Sequence, residues 1–143
     1  MPVFGPKSRI ILAELHPKLR LVMEHTIART PQDFSLTCGY RGEEAQEAAF
    51  KAGNTKAHYL QSAHNYKPSV AVDVLPYPFK GWNDKDIHKE LKVIAGVVLA
   101  VAKEFKIPVR WGADWNMNGR TDDEKFVDSP HFELHPWRSF TKA

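Results

Sequence analysis

A chain of 143 residues, 43% of them apolar, has the size of one domain built around one hydrophobic core. Its longest apolar run, Val93 to Ala102, is helix-core length and falls well short of the roughly 18 residues a membrane-spanning helix needs, so no stable membrane insertion is expected. The net charge of +3 and isoelectric point near 9.0 suit attraction to an anionic polymer or surface, but no Lys/Arg cluster with interleaved aromatics is present, and no nucleic-acid partner is expected.

The segment Met1 to Arg9 lacks the apolar stretch and small-residue cleavage site of a secretory signal, so synthesis in the cytoplasm and another route of export are expected. Ser8 can cap a helix from about Arg9 to Arg29, where Ile11, Leu12, Leu15, Leu19, Val22, Met23 and Ile27 recur at helical spacing. Pro17 inside it predicts a kink or a break into two pieces. Thr30-Pro31 starts a turn. Residues 34–40 read as a strand containing the single cysteine, Cys38, which excludes an internal disulfide and reads as a buried apolar thiol. Glu43 to Lys51 reads as a helix ended by Gly53. Val70 to Leu75 is apolar and β-branched, a strand ended by Pro76 and Pro78. Asp84 or Asp86 starts a long helix running to about Phe105. A short strand follows over 106–111, then a turn over 112–116, a polar loop over 116–128 and a last strand from His131 to Leu134. The order predicts a single α+β domain over residues 1–143. Its small, largely antiparallel sheet packs against helices.

Two imidazoles and a carboxylate, His64, Asp73 and His131, form a set that holds Zn²⁺ with a fourth position open to water. A second acid, Asp128, stands three residues before His131 and could take a proton from that water. Singly, each of these residues is a weak signal. His16, His25, His58 and His88 show no ligand context, and His135 is at most a supporting group.

In combination, Ser62-x-His64, Ala71-x-Asp73 and Asp128-x-x-His131 resemble the zinc D-Ala-D-Ala carboxypeptidase/L-Ala-D-Glu endopeptidase family (VanY/VanX type), and most of all its small single-domain phage endolysins. Gly39-Tyr40-Arg41 with Glu44 and Gln46, Trp111-Gly112-Ala113-Asp114-Trp115-Asn116, and His131-Phe132-Glu133-Leu134 are similar to further segments of that family. The likeness spans about residues 38 to 134. One departure stands out: His64 and Asp73 lie nine residues apart where the family pattern has seven, with Lys67-Pro68-Ser69 in place of its glycine. A two-residue insertion preserves the pleat parity of the strand that follows.

The resemblance implies a monomeric zinc peptidase with its metal site at the sheet, acting on the peptidoglycan stem peptide at the L-Ala-D-Glu bond. His64, Asp73 and His131 would bind zinc. Asp128 would be the general base, and Arg41 the cation that stabilises the tetrahedral oxyanion. Ser62 and Glu133 would support the ligands. Trp111 and Trp115 are expected in the core. As a phage endolysin it would be made in the host cytoplasm and reach the wall on release. Two alternatives are a D,D-carboxypeptidase that removes terminal D-Ala and a non-catalytic zinc-binding module on the same scaffold.

Overall fold

The computed structural model describes residues 2–123 and 127–141; part of the loop expected over 116–128, and the last two residues of the chain, lie outside these. The predicted first helix is two: α1 (Pro6–Ala13) and α2 (Pro17–Arg29). Each begins on a proline, whose missing N–H costs nothing at a helix start. Ser8 therefore does not cap; it sits inside α1, where its hydroxyl accepts the Leu36 N–H at 3.0 Å. The cap of α2 is His16, whose Nδ1 accepts the Lys18 N–H at 3.1 Å.

Strand β1 (Phe34–Cys38) is shorter than expected, because a register shift between Leu36 and Cys38 ends its regular pairing. Helix α3 (Glu43–Lys51) has its predicted bounds, and Gly53 follows with φ +81°. Strand β2 (Ala71–Pro76) keeps Pro76 as its last residue, where no further ladder donor is required. Helix α4 (Ile87–Glu104) starts after Asp86, whose side chain makes no capping bond. Lys106 turns the chain out of α4 with φ +58°, and Ile107 N–H bonds back to the Ala102 carbonyl at 2.9 Å. That left-handed exit leaves only Val109–Trp111 as strand β3; strand β4 is His131–Leu134. Two short 3₁₀ turns, Ala63–Asn65 and Trp137–Phe140, had no periodicity to announce them.

The four strands run in the order β1-β2-β4-β3, each antiparallel to its neighbours, so the fold is α+β as the element order predicts. Helix α4 packs on β2 and β3, and α2 packs on α4. An Arg29–Glu104 ion pair ties the ends of those two helices. Strand alternation divides the sheet into two faces. Val72, Val74, Phe132 and Leu134, none measurably exposed, join Leu19, Val22, Met23, Ile94 and Val98 in the core. Asp73, His131 and Glu133 alternate with them and line a cleft on the other side. Because β2 lies beside β4, Asp73 stands directly opposite His131 in register.

Candidate active site

His64 sits in the 3₁₀ turn Ala63–Asn65 and is 1% exposed. Ser62 caps that turn: its hydroxyl accepts the His64 N–H at 3.2 Å, and Asn65 Oδ1 accepts the Ser62 N–H at 3.1 Å. Asn65 Nδ2 then donates to the Arg41 carbonyl at 2.9 Å and to Oε1 of the fully buried Gln46 at 3.0 Å. The Arg41 N–H donates to the His64 carbonyl at 2.7 Å. Two loops distant in sequence are thereby fixed to one another.

His64 Nε2 lies 3.2 Å from Asp73 Oδ1 and 3.3 Å from His131 Nδ1, and His131 Nδ1 lies 3.0 Å from Asp73 Oδ1. Partners on the far sides of the rings decide the tautomers. The Gly39 carbonyl can only accept, so His64 Nδ1 donates to it, at 2.7 Å. The Glu133 carboxylate accepts from His131 Nε2 at 2.7 Å. Each neutral ring therefore turns a bare lone pair toward Asp73. Three lone-pair atoms that meet without a shared proton require a positive charge among them. Tetrahedral coordination at Zn–N and Zn–O lengths near 2.1 Å spaces ligand atoms by about 3.4 Å, close to the separations here. The donor set thus fits zinc.

Without a metal, protons must answer the same demand. Burial opposes charge on both rings, but the Asp73 carboxylate outweighs it and raises His64 to about 10. His131, likewise opposed by burial, is raised to about 9 by its bonds to Asp73 and Glu133. Burial would raise Asp73, yet the two imidazoles hold it far below the usual carboxylate range. Glu133, 4% exposed, is also lowered: His131 and Arg110 overcome the effect of burial.

The cleft over these residues has a volume of about 300 Å³. Arg41, Ser62, Trp115, Asp128 and Trp137 also line it. Asp128 can bring a carboxylate oxygen within 4.8 Å of ligand atoms of Asp73 and His131, and burial, the strongest influence on it, raises its pKa. Its backbone is pinned beside the sheet: Asp128 N–H donates to the Gly112 carbonyl at 2.8 Å, and the His131 N–H donates to the Asp128 carbonyl at 3.0 Å. A Cβ on Gly112 would stand 2.2 Å from that Asp128 carbonyl oxygen, so this approach requires glycine. Arg41 reaches the cleft with its Nε buried and without a hydrogen-bond partner among the described residues.

The profile of the phage L-alanyl-D-glutamate peptidase family matches residues 3–135. The chain belongs to that family. It is 32% identical to the L-alanyl-D-glutamate peptidase of Escherichia phage T5 over 137 residues, covering 92% of this chain and 96% of that protein. Its fold is similar to the crystal structure of the Serratia marcescens L-Ala D-Glu endopeptidase ChiX, with a TM-score of 0.75, 26% identity, and 98% and 95% of the two chains covered.

Within this family frame, the nine-residue interval from His64 to Asp73 is absorbed by Ser69. Its buried hydroxyl donates to the Gly39 carbonyl at 3.0 Å, and its N–H donates to the Glu14 carbonyl at 2.8 Å. Gly39 thus holds both the insertion and His64. Trp111 packs as expected, buried and stacked on Phe132. Trp115 does not: it lies half-buried on the cleft wall, 5.6 Å from the His131 ring. Cys38 is only half-buried, and its thiol sits 3.7 Å from His64 Nδ1, the nitrogen facing away from His131. With His64 and Asp73 it forms a second possible metal-binding group, so the purely apolar reading of this thiol is corrected. His135 is not among the cleft residues; its N–H donates to the Pro108 carbonyl. Trp137 enters the cleft from beyond the end of the family match. Arg110, Asn65 and Gly112 were missed as site-building residues, since their work is done by contacts across strands and loops.

Proposed function

We propose that this protein is a zinc-dependent peptidoglycan peptidase that hydrolyses the L-Ala-D-Glu bond of the stem peptide. The observation that carries the proposal is the meeting of three lone-pair atoms, from His64, Asp73 and His131, beside the partly buried acid Asp128. The bond assignment is supported by the names of the relatives, both L-Ala-D-Glu peptidases.

His64, Asp73 and His131 would hold the ion, which when bound supplies a Lewis acid and lowers the pKa of water. Asp128 takes a proton from the attacking water as its oxygen bonds to the L-Ala carbonyl carbon. In the metal-free protein burial raises the pKa of this carboxyl group. Arg41 faces the developing oxyanion with its guanidinium. When the C–N bond breaks, Asp128 passes its proton to the departing D-Glu nitrogen. The products are an L-Ala carboxylate on the glycan side and a free amine on D-Glu. Ser62 fixes the turn that carries His64, and Glu133 orients His131.

No helix among the described residues is long and apolar enough to cross a membrane. We assign the enzyme as a monomer that acts on the wall after release from the host cell. The zinc assignment is tested by elemental analysis of protein purified without added metal. About one zinc per chain is expected, with most of it lost in His64→Ala and His131→Ala. Full metal content in both variants rejects the ligand set.

A further inference from the structure

Arg110, on β3, closes a ring of contacts around His131. His131 Nε2 donates to Glu133 Oε1 at 2.7 Å, and the Arg110 guanidinium donates to Glu133 Oε2, also at 2.7 Å. The same guanidinium donates to the Trp115 carbonyl at 3.4 Å and lies 5.1 Å from the centre of the Trp115 ring. The Trp115 ring returns to His131 at 5.6 Å, tilted by 37°. Register explains the encounter, since Arg110 and Glu133 are paired across β3 and β4.

We propose that Arg110 is a positioning residue: it fixes Glu133 against the metal ligand His131 and ties the Trp115 wall of the cleft to the same ligand. This inference rests on the zinc reading above. A buried carboxylate is costly unless paired, and each oxygen of Glu133 has its own partner. With His131 alone, the carboxylate plane could rotate about its last torsion; the Arg110 guanidinium on the second oxygen holds that plane and keeps the first oxygen on His131 Nε2. A planar guanidinium can bond Glu133 with one nitrogen and Trp115 with another; an ammonium supplies the charge without that fork.

The test is the zinc dissociation constant, measured with Zn²⁺ against a competing chromophoric chelator. The proteins are the parent, Arg110→Met, Glu133→Gln, Arg110→Lys and the Met/Gln double variant, with a thermal melt of each. Arg110→Met and Glu133→Gln are each expected to weaken zinc binding roughly 10- to 100-fold. The double variant should be no weaker than the weaker single, because both act through one contact. Its melting temperature should recover, since no unpaired buried carboxylate remains. Arg110→Lys should restore stability without restoring zinc affinity. Parental zinc affinity in Arg110→Met or Arg110→Lys overturns the inference, as do losses that multiply in the double variant. A parent that binds no zinc overturns the metal assignment itself, and the positioning role of Arg110 with it.

Discussion

Nε2 of His64 lies 3.3 Å from Nδ1 of His131, across 67 residues of sequence. Two imidazole nitrogens at that distance, each with its other nitrogen bonded to an acceptor, cannot both remain neutral beside Asp73 without a positive charge among them. Zinc and protons compete for that place.

The competition has a sign. In the metal-free protein, His64 and His131 are raised to about 10 and about 9 from an ordinary value of 6.5. Their contribution to stability is fully present below pH 6.5 and is lost as pH rises through 9 to 10. Asp73 is depressed, so its contribution is present above its ordinary 3.8 and is lost as pH falls below that. Metal-free protein should therefore melt highest between about pH 4 and 6.5 and progressively lower toward pH 10. Zinc affinity should move the other way and rise with pH. Calorimetry in two buffers of different ionisation enthalpy should show net proton release on zinc binding at pH 7. Uptake without proton release contradicts the arrangement.

Asp128→Asn preserves side-chain volume and removes the proton acceptor. It should retain zinc and the parental melting curve while losing roughly 10²- to 10⁴-fold in turnover. A near-parental lytic rate removes Asp128 from the mechanism.

Gly112→Ala places a methyl group 2.2 Å from the Asp128 carbonyl oxygen. The backbone of Asp128 must retreat, at a cost of about 1–3 kcal/mol. A lower melting temperature is expected together with reduced turnover, because the displaced segment carries Asp128. Unchanged stability and turnover would show that the close approach is dispensable.

Much of this was legible in the sequence for physical reasons. The spacing Ser62-x-His64, Ala71-x-Asp73 and Asp128-x-x-His131 is local. The bounds of α3, stopped by Gly53, and of β4 agree with the sequence reading. The division of α1 from α2 was signalled by Pro17, but the helix start at Pro6 was not, because Ser8 offered a plausible cap and instead serves β1. Trp115 was misplaced because a lone aromatic in a turn carries no periodicity that tells core from cleft. Arg110 was invisible because its role depends on the pairing of β3 with β4, a register that no short motif encodes.

The bond that is cut can be read directly from the products. Purified enzyme should clear a suspension of intact sacculi. Mass spectrometry of the released material should then show peptides with new amino termini on D-Glu, while L-Ala stays on the glycan. Release of D-Ala alone, with turbidity unchanged, would contradict the account and assign the protein as a carboxypeptidase.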